Sequence, residues 1–580
     1  MYKILEATTA FFIDKKKAIV DITRTNRGGS LLYICTFMRK TALVVFTLAL
    51  FPAAALAQTT RTGFDDGTVV DTDFKPRLIA ANKLLIDPLI PKNLNQTINI
   101  AYNPLNYMWN TRKVPHLMPP AGHYEPGLDT SYNPNYVRIG GGNYTSKLGE
   151  LYLANRANKK WAYNLAVMHL SADEKEEIRD FSTNKAFLSG SRFFDRSSID
   201  MRFSYMRDMN RFFAKDTLYK EDKALLRKIG HNAGFNLNYD LKAMERKPGF
   251  KAGFMFNNFF NNLSQSETEF GALAGWDFVF PQIKTFGDVS VSNIKYRQNF
   301  TTVNNWFVDV TPRVKYFNSE NGVEGTAGLN LTWSIRDTMK PVFYLNPYVY
   351  GEKKLEGLKM KVYGGIDGGL RKNSIRRFSE LVPFTYDTVQ VYNTYEQLKG
   401  FAGIKGRITE NSQFNVEFGG NTMSDMPLAV VSADTIGALQ LVYDEVSNLY
   451  FAGDVRFSIG ENLRVAASGR INNYTTKNEL KAWHMPTETY SVSAAYNLYN
   501  KFIFTLGVDG QGKRYARQIG GNNNLVMKGF ADLNLRVDYR LKGVVRFWVQ
   551  GSNLINQRYQ VWYGYNSYRL NIMGGISASF

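Results

Sequence analysis

From about residue 134 onward, apolar and polar residues alternate with a period of two over most of the chain. Ala233, Phe235, Leu237, Tyr239 and Leu241 alternate with Gly234, Asn236, Asn238 and Asp240. Ala327, Leu329, Leu331, Trp333 and Ile335 alternate with Gly328, Asn330, Thr332 and Ser334. The same holds for Leu358 to Arg371 and for Met527 to Tyr539. Successive side chains of a strand point to opposite faces, so this pattern predicts strands with one apolar and one polar face. Soluble sandwiches also use such strands. The number and length of the strands here favour a different architecture, an all-β transmembrane antiparallel β-barrel.

Connection lengths carry that reading further. Counting back from Phe580, the links at about 554–567, 514–524, 473–487, 424–447 and 372–395 are long, whereas those at 540–542, 499–501, 460–462 and 410–412 are short. They alternate strictly. A transmembrane barrel has short periplasmic turns and longer extracellular loops, and a sandwich has no reason to keep that parity. The parity continues through turns near 353–357, 319–322, 281–285, 242–248, 193–197 and 155–159, placing the first strand at 134–142. The count is about 22 strands, an even number that returns both ends of the barrel to the periplasmic side. Barrels of that size are transporters with a filled lumen.

Composition fits. Aromatic residues make up 14% of the 580 residues, with 34 Tyr, 40 Phe and 47 Gly, yet mean hydropathy is −0.30. A barrel meets lipid at only every second residue, which reconciles the two. Near the start, Met38-Arg39-Lys40, the apolar run Thr41 to Phe51 and Ala55-Leu56-Ala57 have the order of a secretory signal peptide, with cleavage between Ala57 and Gln58. Residues 1–37 are read as a mis-called leader. The single Cys35 lies in that leader, so the mature chain from Gln58 has no thiol for disulfides, zinc or nucleophilic attack. Residues 1–57 hold eight Lys/Arg and three Asp/Glu, and their removal lowers the net charge from +20 to +15. The remaining charge is dispersed at alternate positions, with no basic run or recognition helix, so nucleic acid is not an expected partner. Residues 58–133, with eight prolines, form no regular ladder and are read as a periplasmic or lumen-strapping segment. A disordered tail is the alternative.

At the other end, Leu570, Ile572, Gly574, Ile576, Ala578 and Phe580 share one face of a final strand. An exposed strand ending on Phe resembles the C-terminal insertion signal of outer-membrane proteins, which marks Leu570, Ile572, Ile576 and Phe580. Just before it, Asn553-Leu554-Ile555-Asn556-Gln557-Arg558-Tyr559 with Gly564-Tyr565 resembles the penultimate-loop segment of TonB-dependent receptors. The resemblance covers about 134–580 and implies uptake or passage of a solute across the outer membrane of a Gram-negative bacterium. The chain departs from that family at 58–133, which is shorter than the family's plug domain. Asp66-Gly67-Thr68-Val69-Val70 faintly resembles a TonB box, so TonB is one candidate partner. The alternative function is a non-conducting barrel that holds another envelope component, with the links at 372–395 and 424–447 and Val430, Val431 and Tyr443 available for contact.

Catalytic chemistry is not expected. His116, His123, His169, His231 and His484 are scattered, with no H-E-x-x-H, and no G-x-S-x-G elbow is present. The chain is read as having no cofactor, no metal and no enzyme activity, with barrel enzymes built from scattered residues as a third class. Gly140-Gly141-Gly142 and Gly364 to Gly369 lie in strand patterns and predict bulges or close strand packing. Trp161, Tyr163, Phe193, Phe194, Tyr344, Tyr348, Tyr496, Tyr499, Trp562 and Tyr563 fit interfacial girdles. Sugar stacking by Trp562, Tyr563 and Tyr565 is the alternative. Lys359, Lys361, Asp367, Arg371, Lys528, Asp532 and Arg536 fall on the polar face and are the candidate lumen charges. They either pair across strands or select solutes.

Overall fold

The structure, a computed structural model, describes residues 135–580 apart from 156–159, 175–178, 213–225, 245–246, 319–320, 338, 356, 386–389, 410, 434–436, 461, 521–524 and 543. The expected leader, signal peptide with its Ala57/Gln58 cleavage site, and proline-rich segment lie outside the described residues. The rest is a closed barrel of 22 antiparallel strands, each paired to its neighbour in sequence. We number the barrel strands β1 to β22 in chain order, from β1 (Tyr136–Gly142) to β22 (Asn571–Ser579).

Closure is made by β1 and β22, which pair from Tyr136↔Ser579 to Gly142↔Met573. Beyond the last strand, Asn135 and Phe580 exchange backbone hydrogen bonds of 3.1 and 3.0 Å. The parity expected from the sequence holds: the turns at 499–501 and 460–462 fall between β18 (Glu488–Leu498), β19 (Phe502–Gln511), β16 (Leu439–Ile459) and β17 (Leu463–Thr476) as read. One link differs. The stretch 424–447, expected as a long loop, is mostly strand, because β15 (Ser412–Val431) pairs with β16 up to Val431↔Leu439. The aliphatic runs Leu428–Val431 and Leu439–Val442 zip together past a register shift between Met423 and Met426, leaving only 432–438 as the link.

The faces sort as the alternation requires. Outside, Phe203, Leu237, Phe254, Leu345, Phe418 and Val549 are exposed, as lipid-facing positions must be. Ile572, Ile576 and Phe580 belong to this outer band, whereas Leu570 precedes β22. Trp161, Tyr163, Phe193, Phe194, Tyr496 and Tyr499 are exposed, the placement of girdle residues. Tyr344 and Tyr348 are not. They share the inner face of β12 (Val342–Lys354) with Asn346, because Leu345 and Val349 take the outer one. Tyr344 packs on Tyr395, and Arg313 stacks on Tyr348 at 4.2 Å.

The glycines near the seam are used for close packing. Gly140 stands opposite Gly575, and a Cβ on Gly140 would run into the Trp548 ring and the Gly574 carbonyl. Trp548 is buried there beneath Arg138, whose guanidinium lies 4.1 Å from the ring and donates to Gln550 at 3.1 Å. Gly140→Val is therefore expected to cost about 1–3 kcal/mol through overpacking. A lower temperature for conversion of the folded to the unfolded band on a denaturing gel will register that loss, and an unchanged temperature will refute it.

Candidate functional site: the capped mouth and the cavity beneath it

At the long-link end, the loops fold together into a cap with its own apolar core. Phe384, Val431, Leu439, Phe530, Tyr559 and Trp562 meet there, drawn from five links or strand ends. Phe384 stacks on Tyr565 with centroids 3.5 Å apart, and Phe530 on Tyr559 at 3.9 Å. Trp562 and Tyr565 are buried in this core, so they form neither a girdle nor an open stacking platform. Val430 and Val431 are buried too, and the Tyr443 hydroxyl donates to the Gln390 carbonyl at 2.5 Å. These three were expected to be available to a partner. The other loops cover them, because apolar residues in neighbouring loops lose less by meeting each other than by meeting water.

Cations and one histidine tie the cap down. Arg514, fully buried, donates to the carbonyls of Val561 (2.9 Å) and Gln560 (2.6 Å). Burial lowers its pKa to about 10, so it remains charged at neutral pH. His484 Nδ1 lies 2.8 Å from the Ala429 carbonyl, and Nε2 accepts from the Tyr563 N–H at 3.2 Å. That assigns the proton to Nδ1 and makes the neutral ring a bridge between two loops.

The link after β13 (Met360–Arg371) turns inward. Its short helix α1 (Ile375–Leu381), capped by the Ser374 hydroxyl on the Arg377 N–H at 3.2 Å, lies against the inner wall of distant strands. Ile375 and Phe378 pack on Phe259, Tyr296 and Val303. Arg376 pairs with Glu269 at 2.8 Å and Glu380 at 3.6 Å, and Lys372 with Asp309 at 2.5 Å. Lys228 reaches the Thr385 carbonyl at 2.8 Å, and Arg336 the Val391 carbonyl at 2.9 Å. Beneath the helix is a cavity of about 510 Å³ lined by Arg371, Lys372, Arg376, Arg377, Glu269 and Glu380. Three of these four cations are paired with carboxylates, Arg371 with Glu396, Lys372 with Asp309 and Arg376 with Glu269. Arg377 donates to the Lys372 carbonyl at 3.3 Å and has no carboxylate partner among the described residues. Burial, then Arg371 and Arg376 beside it, lowers its pKa.

Of the seven charges expected in the lumen, Arg371 lines this cavity, bonded through both Glu396 oxygens at 2.9 Å. Lys361 pairs with Glu352 at 2.5 Å, which Lys405 also contacts at 2.6 Å. Asp367 accepts from Asn330 at 3.0 Å, and Arg536 pairs with Asp538 at 2.5 Å. Asp532, fully buried, accepts from the Tyr559 hydroxyl and from the Asn553 N–H at 3.1 Å. Lys359 lies in the turn before β13, and Lys528 in the loop before β20 (Phe530–Lys542), so neither is on a strand. The expected charges therefore do not converge on one point. Of the residues that do converge, Arg371 was expected, and Lys372, Arg376 and Arg377 were missed, although Arg371-Lys372 and Arg376-Arg377 within seven positions are a visible signal.

Two outcomes follow for the cap. Burial lowers the His484 pKa to about 4 from its ordinary value of 6.5. An open cap takes up a proton between those values that the closed cap refuses, so closure has full strength above pH 6.5. It weakens by up to about 3 kcal/mol as pH falls to 4. Hydrogen exchange of residues 477–487 and 553–570 should accelerate over that window in the wild type and much less in His484→Asn. Arg514→Ala strands two buried carbonyls and should accelerate exchange of 553–570 at every pH, at a cost of about 2–4 kcal/mol.

No known protein family and no curated protein matches the chain by sequence. Solved structures do match by fold. The FrpB iron transporter from Neisseria meningitidis superposes with a TM-score of 0.60 at 11% identity, covering 78% of this chain and 82% of that one. The copper transporter OprC gives 0.59 at 10%, covering 77% and 80%. The ferripyoverdine receptor of the outer membrane of Pseudomonas aeruginosa gives 0.58 at 10%, covering 77% and 71%. The resemblance first carried by Asn553 to Tyr565 thus extends to the architecture, and this chain has the 22-stranded barrel fold of the outer-membrane TonB-dependent receptors.

Proposed function

We propose that the protein takes up a small solute bearing anionic groups across the outer membrane, admitting it past the loop cap to the cavity under α1. The observation that carries this reading is the inward-folded link itself. It narrows the lumen and at the same time brings Arg377, free of any carboxylate among the described residues, to a cavity whose other three cations are already paired with carboxylates. A barrel built only to hold a neighbour has no need of a charged chamber inside. The fold shared with an iron transporter, a copper transporter and a ferripyoverdine receptor supports the same reading.

On this reading, residues 58–133 stand in for a plug from the periplasmic side, and Asp66–Val70 offers the contact through which TonB would move them. Lysines and arginines of the wall then act first as cross-strand partners, as Lys361 and Arg371 do, and of the four cations lining the cavity Arg377 is the one left for the solute. The structural-partner alternative loses its contact residues, since Val430 and Val431 are inside the cap.

The test is conductance of the mature barrel in a planar bilayer, with and without residues 58–133. The intact protein should be silent, and deletion should open it. Steady conductance from the intact protein would sink the filled-lumen reading. In the deleted form, Arg377→Ala should lower the preference for anions over cations, read as a shift in reversal potential under a salt gradient.

A further inference from the structure

A second site lies on the outside of the barrel, on β3 (Trp161–Glu174) and β4 (Arg179–Phe193). His169 and Ser171 are two residues apart on β3 and therefore share a face, and Asn184 stands directly opposite His169 on β4. His169 Nδ1 is 2.7 Å from Asn184 Oδ1, and Nε2 is 3.1 Å from Ser171 Oγ. Asn184 Nδ2 in turn reaches Ser182 Oγ at 3.4 Å. That contact turns the amide oxygen toward the ring, so Nδ1 carries the proton and Nε2 is the acceptor facing the serine hydroxyl. A nucleophile, a base and a group that orients the base stand in series, the arrangement by which acyl-transfer sites are recognised on unrelated folds.

The surroundings select the substrate. On the same face of β3, Tyr163 and Val167 are exposed, and Leu188 is exposed on β4. The opposite face carries Met168, Leu170 and Ala172, which are buried inside. The relay is thus lipid-facing. It sits where the outer surface of β3 changes from Tyr163, Leu165 and Val167 to His169, Ser171 and Asp173 toward the cap, an apolar-to-polar boundary of the kind that a lipid's ester links also mark. Ser171 is flanked across the strands by Lys147 of β2 (Lys147–Ala154) and by Ser182. Lys147 is exposed and makes no ion pair among the described residues. Register makes Lys147 and Ser182 the donor-bearing neighbours from which stabilisation of an oxyanion at Ser171 would come.

We propose that Ser171, His169 and Asn184 form a hydrolytic site for carboxylic esters of membrane lipids, an activity separate from solute uptake. Ser171 Oγ adds to the ester carbonyl carbon while its proton passes to His169 Nε2. The carbon–oxygen bond to the glycerol breaks, and the departing alkoxide takes that proton. Water then attacks the acyl-serine with His169 again as base, releasing a fatty acid and restoring the serine. Ser171 and His169 are the catalytic residues, and Asn184 is a positioning residue. An ordinary solvated polar patch is the competing account.

Both accounts can be separated with the folded mature barrel in vesicles of diacyl phosphatidylethanolamine. A fluorophosphonate should label Ser171, located by peptide mass, and fatty acid should be released. Ser171→Ala should abolish both while leaving the folded band and the solute conductances unchanged. His169→Gln should slow labelling about 10²- to 10⁴-fold, the range for loss of a general base. Asn184→Ala should slow labelling without removing it, and Asn184→Asp, which keeps an acceptor for the Nδ1–H, should restore it. Absence of labelling in the folded wild type overturns the proposal. So does labelling that survives Ser171→Ala, or slowing by Asn184→Ala that Asn184→Asp fails to restore. None of these outcomes bears on whether solute crosses the lumen.

Discussion

The backbone of a strand in lipid has no water to bond, and each N–H or C=O left unpaired there costs several kcal/mol. The rest of this structure depends on meeting that constraint by closure. Each of the 22 strands pairs with its sequence neighbour, and the last pairs with the first. The even count, the common side of both barrel ends and the division into an apolar outside and a polar inside all follow. The seam is where the constraint is tightest, and the sequence there is correspondingly small: Gly140 against Gly575, with Trp548 lying over the gap.

Inside, a different shortage governs. The loops that fold over the mouth carry backbone carbonyls that no ladder satisfies, and cations reach them. Arg179 donates to the carbonyls of Asn566 and Ser567, both at 2.6 Å, as Lys228 does to Thr385, Arg336 to Val391, and Arg514 to Val561. The dispersed positive charge of the chain thus has a structural use that needs no anionic partner. Where a cation has no carboxylate partner among the described residues and only a 3.3 Å contact to a carbonyl, as Arg377 has to Lys372, a role toward a ligand becomes the economical account.

Most of the barrel was legible in the sequence because its two signals are local. Alternation fixes the faces, and the parity of link lengths fixes the ends, so 499–501 and 460–462 could be placed to the residue. What depends on pairing between distant segments was not legible. The hairpin of β15 and β16 reads as a loop in the sequence because its run of aliphatic residues breaks the alternation once the strands rise into the cap, where both faces are covered. Tyr344 and Tyr348 were assigned to the outside by residue type, although their phase with Leu345 and Val349 places them within. The cavity under α1 needed a link to fold across the lumen, which no local pattern reports. The relay of His169, Ser171 and Asn184 occupies an intermediate position: the first two share a face by spacing, but only the register of β3 against β4 supplies the third.

The seam also bears on how the barrel is made. Every other strand pair joins neighbours along the chain, so its formation closes only a short loop. The pair of β1 and β22 joins Tyr136 to Ser579, and bringing such distant points together costs about 5 kcal/mol in chain entropy. That cost falls on one ladder alone, so assembly is expected to run as a spreading curved sheet with a single late event. The same ladder, first to lose its neighbours' support when the wall is strained, is the natural line along which the cylinder would unzip.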